Sequence, residues 1–477
     1  MIEPRRVVDA ALDGERAWVV GGAVRDALLG HAVLDVDVVV DGDPAAAALA
    51  VARASGRGTA RFALSDAFET WRVVGPGHAW QVDVTPLRGG GIEADLALRD
   101  LTVNAMAEPV GEGGGGLVDP TGGRADLEAR IARAVSDRSF AEDPLRTLRV
   151  ARFACELELA VDPHTAQLAR AHAPELDRIA GERIFAELKR VIAAPRIRAG
   201  LALMDELDVM AHVLPELSAL RGVEQNRYHH ADVLDHTLEV LDSALALEAD
   251  PGAALGLEHA DAIRALLAEP LADGLTRRDG LRLGALLHDS AKPQTRAVGE
   301  HGETLGFPRH DVEGERLVRS ILTRLKASER LRGHVGALTR HHLRLGFLLH
   351  DRDADGILPR RALYRYLTTT EPVEVDVTLL SVADRLATRG HKADESIARH
   401  MVLAREVVGE ALRWRAGETR PAPLLRGDEL ARELGIDPGP ELGRLLAELA
   451  EARFAGEIRD RQEALAAARA LLDPPAG

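Results

Sequence analysis

Ala17-Trp18-Val19-Val20-Gly21-Gly22-Ala23-Val24-Arg25-Asp26, followed nine residues later by Asp35-Val36-Asp37-Val38-Val39-Val40, decides the reading of the fold. A short β-branched run enters a Gly-Gly turn, and the turn opens a helix. Glycine carries no Cβ, so the backbone at Gly21 and Gly22, the first helical amides and Arg25 can approach a phosphate closely. Residues two apart on a strand share a face, so Asp35 and Asp37 project side by side. Like charges held that close are costly unless a cation lies between them. Two divalent ions about 4 Å apart on oxygen ligands suit in-line displacement at a nucleotide α-phosphate. Asp83, in Gln81-Val82-Asp83-Val84, is a third candidate ligand.

Around this stretch, residues 17 to 90 read as short strands (Trp18 to Val20, Val36 to Val40, Trp71 to Val74, Gln81 to Val84) interleaved with Ala-rich helix such as Pro44 to Ala54. The Gly-rich stretch Gly111 to Gly116 and the turn at Asp119 to Gly123 close this α/β or α+β unit. From Arg124 onward strands almost vanish, and apolar residues recur at helical spacing through Leu145, Leu148 and Phe153 to Leu188 and Val191.

The ordered motifs resemble those of the class II tRNA nucleotidyltransferase and bacterial poly(A) polymerase family. To the glycine turn and Asp35-Val36-Asp37 are added Asp95-Leu96-Ala97-Leu98-Arg99-Asp100-Leu101-Thr102-Val103-Asn104, then Asp119-Pro120-Thr121-Gly122-Gly123, Glu142-Asp143-Pro144-Leu145-Arg146 with Arg149 and Arg152-Phe153, and Glu182-Arg183 with Glu187-Leu188. The resemblance covers roughly residues 15 to 220. It implies a polymerase-β-like head with a small mixed sheet, Mg2+ on Asp35 and Asp37, and Arg99, Asp100 and Asn104 in a ribose and triphosphate motif, with Arg149 and Arg152 also on the nucleotide side. The implied reaction adds CMP and AMP from CTP and ATP to the 3' end of tRNA.

Asp143 and Arg146, three apart in a helical stretch, are expected to share a face. Cytosine and adenine both present an exocyclic amine beside a ring-nitrogen acceptor, so a carboxylate and a guanidinium suit both bases and oppose guanine and uracil. By resemblance this pair is the family's amino-acid template. Two departures stand out: only six residues, Gly89 to Ala94, separate Arg88 from Asp95, where many CCA-adding members carry a longer loop, and Leu98 and Leu101 replace residues often basic and aromatic. The short loop leaves CCA, CC alone or A alone open.

A second constellation lies downstream. His236, in Asp232-Val233-Leu234-Asp235-His236, the pair His288-Asp289, and Asp384 in Val382-Ala383-Asp384-Arg385 supply mixed nitrogen and oxygen ligands for Mg2+, Mn2+, Ni2+ or a similar divalent metal. The order resembles the HD phosphohydrolase superfamily over roughly residues 225 to 400. Resemblance to nucleotidyltransferases carrying this domain implies hydrolysis of terminal or 2',3'-cyclic phosphates. His310, His341 and His342 are further candidate ligands or phosphate contacts, and Lys292 a phosphate neutraliser or a helix cap.

The whole is read as a multidomain α+β chain: a nucleotidyltransferase head over 1–123, an all-α neck over 124–222, an HD domain over 223–412 and a helical tail over 413–477. Residues Arg415 to Leu425 read as the linker into the tail, and Ala244 to Asp279 as an insert. A net charge of -16 repels a polyanion as a whole, so an RNA site needs a local basic strip. Only four of the 60 basic residues are lysine, which reads as compositional bias, so an arginine cluster alone says little. At 3% aromatics, recognition by repeated ring stacking is not expected. The lone Cys155 rules out intrachain disulfides and fits a reducing, cytoplasmic setting. No secretory or membrane-spanning pattern is seen, so no membrane partner is expected. Two alternatives remain: a poly(A) polymerase, and an HD phosphohydrolase whose N-terminal half only binds nucleotide or RNA.

Overall fold

The valine run of Asp35–Val40 forms the buried middle of a six-stranded mixed sheet in a computed structural model that describes residues 3–65, 69–111, 116–225, 231–353, 356–389 and 393–472. The strands are β1 (Ala17–Val20), β2 (Asp35–Val40), β3 (Ala60–Ser65), β4 (Thr70–Val74), β5 (Gln81–Pro86) and β6 (Ala107–Pro109). Their order is β3-β4-β5-β2-β1-β6. Only β2 and β5 run parallel, and their register sets Asp37 opposite Asp83. Val36, Val38 and Val40 are buried on one face while Asp35 and Asp37 point to the other, the alternation a strand imposes, and Val39 is buried further along the aspartates' face. The Pro44–Ser55 helix, begun by Pro44 and capped by Asp43 on the Ala45 amide, supplies the parallel crossover and covers β4 and β5.

Two compact units make up the chain, Met1–Val213 and Leu214–Gly477. Residues 214–222, read from sequence as the end of the neck, fall with the second. In the first unit the sheet is followed by helices, of which Leu145–Leu157 and Gly181–Ala193 pack together. The expected near-absence of strands after Arg124 is met by three two-stranded ribbons only, among the described residues. Of the Gly-rich stretch, residues 112–115 lie outside the described residues.

The second unit is built on Val233–Ala249, Arg277–Leu287, Glu329–His341 and Glu374–Ala387, packed through leucine and valine side chains that are almost wholly buried. Asp232 caps the first of these helices, and Thr276 with Asp279 forms a capping box at the second. The insert before it is two short helices, Pro251–Leu255 and Leu257–Leu267, then a tight ribbon. Residues 416–426 run irregularly into three tail helices with their own apolar cluster around Leu430, Leu445 and Leu449. Phe454 of the tail packs with Tyr364 and Trp414, and Arg361 pairs with Glu448, Glu451 and Glu457. No helix among the described residues is long and apolar enough to cross a membrane.

Candidate functional site

In the first unit β1 ends at Gly21, whose φ of +69° and ψ of -127° only glycine adopts readily. A Cβ there would also lie 2.8 Å from Arg99 Nη1. The turn starts the Gly22–Leu28 helix at one wall of a cleft of about 820 Å³. Eight arginines and six carboxylates line this cleft, the local basic strip that the chain's negative charge requires.

Asp35 and Asp37 stand on the same face of β2 and both line the cleft. Neither carboxylate accepts a hydrogen bond from a described residue, although an isolated carboxylate pair repels. The Asp37 carboxyl is pushed above the usual carboxylate range, first because the cleft walls desolvate it, although its side chain stays open to the cleft. Arg99 opposes that shift, while the like charges of Asp83 and Asp35 add to it. Oxygen ligands in such a pair suit a divalent cation. Asp83 is in register beside them, but both its oxygens are taken by Arg72, at 2.7 and 2.6 Å.

From the glycine turn a chain of alternating charge runs inward. Arg25 bonds Asp26 and the Asn104 amide oxygen; Asn104 donates to Asp100 at 3.1 Å; Arg149 bridges Asp100 at 2.7 Å to Glu187 at 3.0 Å; and Glu187 pairs with Arg152 at 3.0 Å. Burial pushes the Asp100 carboxyl up, but the Arg149 guanidinium and the bonds from Asn104 and the Leu101 amide outweigh it and hold the acid well below its ordinary range. Arg152 is lowered to about 10, chiefly by burial, with Glu187 opposing. The guanidinium carbons of Arg152, Arg25 and Arg149 stand 3.9, 5.2 and 5.2 Å from the centre of the buried Phe153 ring.

The expected Asp143–Arg146 arrangement needs correction. Asp143 is not inside a helix: it takes an extended conformation (φ -149°, ψ 98°) between Ser139–Glu142 and Leu145–Leu157, because a residue before proline is driven out of the helical region. Its oxygens accept from the Leu145 amide and from Arg183, at 3.3 and 2.7 Å. Arg146 donates to the carbonyls of Leu98, Ser139 and Arg99. Both residues still line the cleft. Sequence reasoning named Arg183 and Asp95 only as members of motifs and missed their pairings: Arg183 and these carbonyls seat the two residues, and the buried Asp95 holds Arg88 and Arg99.

In the second unit His236, His288, Asp289 and Asp384 converge. His236 Nε2 lies 3.1 Å from Asp384 Oδ1 and 3.7 Å from Asp289 Oδ2, and His288 Nε2 lies 3.1 Å from Asp289 Oδ2. Helices Val233–Ala249 and Glu374–Ala387 carry the outer two, while His288 ends Arg277–Leu287. His310 and His342 join them, and His341 does not: it accepts from Arg344, and burial with that neighbouring charge lowers it to about 4. Lys292 Nζ bonds Asp289 Oδ2 and Gln225 Oε1, both at 2.7 Å. Burial would raise Asp289, but the cationic faces of His288 and Lys292 hold it well below the usual range. Burial likewise opposes Asp384, which the His236 hydrogen bond and charge keep low. The nitrogen and oxygen donor set fits a divalent metal.

Residues 17–133 match the family profile described as the Poly A polymerase head domain, 158–220 the probable RNA and SrmB-binding site of polymerase A, and 233–389 the HD domain. The A-adding tRNA nucleotidyltransferase of Deinococcus radiodurans is 36% identical over 455 residues, 94% of each chain. The CC-adding tRNA nucleotidyltransferase of Thermus thermophilus is 32% identical over 94% of this chain and 92% of its own. Among solved structures the Thermotoga maritima CCA-adding enzyme, complexed with tRNA, shares the fold at a TM-score of 0.62 and 20% identity, over 98% of this chain and 95% of that one. With a poly(A)-polymerase-type head matched at one end, an HD domain at the other and relatives aligned almost end to end, the chain belongs to the tRNA nucleotidyltransferase family.

Proposed function

We propose that the protein transfers CMP or AMP from CTP or ATP to the 3' end of tRNA, without a nucleic-acid template. The observation that carries this reading is the pair of Asp35 and Asp37, sharing a face, accepting no hydrogen bond from a described residue and facing a cleft lined with arginine. Their carboxylates would hold Mg2+, which supplies neutralising charge at the α-phosphate and the leaving pyrophosphate. Asp83, clamped by Arg72, keeps lone pairs beyond those two bonds and adds negative field beside Asp37. Gly21 and Gly22 leave room for the triphosphate, with Arg25 and Arg99 as its cationic contacts. Asn104, held between Arg25 and Asp100, faces the ribose, and Arg149 and Arg152 fix that wall by their bonds to Asp100 and Glu187. The tRNA 3'-hydroxyl gives its proton to solvent as its oxygen bonds to the α-phosphorus, the α–β anhydride bond breaks and pyrophosphate leaves.

Base choice falls to Asp143 and Arg146, which would exchange their present partners for the amine and ring nitrogen of C or A. Because Gly89 to Ala94 is short, and the relatives aligned over 94% of the chain add A or CC, we read the activity as part of CCA addition, with terminal A addition as the finer assignment. Head, neck, HD domain and tail are proposed over 1–123, 124–222, 223–412 and 413–477. The HD cluster, with a divalent ion such as Mg2+, Mn2+ or Ni2+, is proposed as an accessory phosphohydrolase site on His236, His288, Asp289 and Asp384. Working on tRNA, the protein is placed in the cytoplasm.

The test offers tRNA lacking its last three, two or one nucleotides, with CTP and ATP supplied separately. One added A on tRNA ending in CC, and nothing on the shorter substrates, supports the assignment. Addition of C replaces it with CC or CCA addition, open-ended A tails on generic RNA replace it with a poly(A) polymerase, and no extension of any RNA overturns transfer altogether.

A further inference from the structure

One row of paired residues crosses all six strands of the head's sheet. It runs Phe62, Arg72, Asp83, Asp37, Val20, Ala107 from edge to edge, each residue the registered partner of the next. Registered partners on adjacent strands project to the same face about 5 Å apart, so the row sets a guanidinium and two carboxylates in line. Asp35 lies two residues along β2 on that face. Arg72 is the only cation in the row, and beyond Asp37 the row holds only the buried, apolar Val20 and Ala107.

Arg72 directs its fork at Asp83, Nε to Oδ1 at 2.7 Å and Nη2 to Oδ2 at 2.6 Å, with the two side chains 27% and 17% exposed. A charge-assisted grip of two bonds fixes the carboxylate's orientation. The three carboxylates therefore differ in readiness: Asp35 and Asp37 accept no hydrogen bond from a described residue, while Asp83 already holds a cation. The Asp83 hydrogen bond raises the Arg72 guanidinium above its ordinary range, burial opposes it, and the charges of Asp83, Asp35 and Asp37 add to the rise. By reciprocity that guanidinium weakens the pull of all three acids on any further cation. A third bare carboxylate beside Asp37 would attract a divalent ion more strongly, yet it would also repel a triphosphate, which stays anionic with one such ion bound.

We propose that Arg72 is a positioning residue of the transfer site: it holds Asp83 off the metal and keeps the aspartate pair too weakly charged to fill before the nucleotide brings its ion. The inference rests on the reading of Asp35 and Asp37 as metal-holding and deepens it. Asp83 then acts through its field on Asp37, and the divalent ion is shared between the aspartate pair and the phosphates rather than stored in the free protein.

The test offers metal and nucleotide each alone. Free Mn2+ is titrated against the full chain by electron paramagnetic resonance, and the binding that Asp37→Asn removes in the same background is the head's own. Arg72→Met should tighten that binding about 10- to 100-fold, the scale on which groups beside a metal ligand act. Adding Asp83→Asn to Arg72→Met should return it to the wild-type level. ATP in EDTA, followed by calorimetry, should bind more weakly to Arg72→Met than to wild type. A merely structural role for Arg72 weakens both ligands together, whereas the proposal moves them in opposite directions. Unchanged or weaker Mn2+ binding in Arg72→Met, a tightening that the double variant retains, or ATP binding that does not weaken overturns the proposal. Arg72→Gln is run in parallel, so misfolding of one variant by circular dichroism leaves the other to decide. Incorporation by Asp37→Asn is measured separately, and its retention overturns the metal reading of the pair independently of Arg72.

Discussion

Replacing Arg149 by methionine strips the counter-charge from two buried carboxylates at once. Arg149 joins Asp100 and Glu187, whose side chains are only 6% and 9% exposed. Among the described residues Glu187 keeps Arg152, whereas Asp100 keeps the Asn104 amide and the Leu101 backbone and no cation. Removing one partner of a buried pair costs about 3–5 kcal/mol. Arg149 itself is 30% exposed, so solvent screening reduces the expected loss to about 2–4 kcal/mol. For a unit of this size that is a fall in melting temperature of about 4–16 °C.

The pH dependence carries the sharper test. In the wild type the folded Asp100 carboxyl lies below its ordinary value, so its contribution is complete above about pH 4 and fades only on further acidification. Without Arg149, burial dominates and raises that carboxyl, so its charge opposes folding at neutral pH and protonation relieves the cost as pH falls. Calorimetric scans of the full chain should show the widest gap between Arg149→Met and wild type at pH 8 and a narrower one at pH 5. Asp100→Asn added to Arg149→Met should recover part of the loss. An equal gap at both pH values, or a double variant no more stable than the single one, refutes this account of the network.

Asp35→Asn or Asp37→Asn should lower nucleotide incorporation by about a thousandfold or more while the protein stays folded; retained incorporation by either sinks their assignment. Because the Asp37 carboxyl is raised, its ionisation weakens folding as pH increases, so without metal Asp37→Asn should melt above wild type at pH 8 and converge with it near pH 4, by scanning fluorimetry. Asp143→Asn keeps an amide oxygen for the nucleotide amine but loses its charge and its ion pair with Arg183, so kcat/KM for the favoured nucleotide should fall about 10- to 100-fold, with relaxed discrimination against GTP and UTP. Gly21→Ala introduces an unfavourable backbone angle and crowds Arg99, which should cost about 1–3 kcal/mol and raise KM for the nucleoside triphosphate.

The centre of the sheet was legible because Val36 to Val40 is rich in β-branched residues and Gln81 to Val84 alternates polar with apolar ones. Ala60–Ser65 was missed for a related reason. It is an edge strand with Phe62 and Leu64 exposed, and Arg-Phe-Ala-Leu-Ser contains no β-branched residue. The helix break at Asp143 was announced by Pro144, but the i,i+3 spacing of Asp143 and Arg146 was given more weight. Among the histidines, His341 and His342 cannot face the same way, since successive helical positions turn by about 100°. Which of them enters the cluster depends on packing between the Glu329–His341 and His310–Arg324 helices, which no local pattern encodes. The charge chain from Arg25 to Arg152 also joins residues far apart in sequence, so its members were visible and their pairing was not.

The contact of the last segment with the helices before it bears on how the C-terminal half can be dissected. Cutting after residue 412 discards Trp414 along with Phe454, so Tyr364 loses both rings packed on it, and it deletes all three glutamates that surround Arg361. A fragment meant to report on the histidine cluster alone would then carry a freshly bared greasy patch and an orphaned guanidinium, and should clump unless its end is moved beyond Glu457.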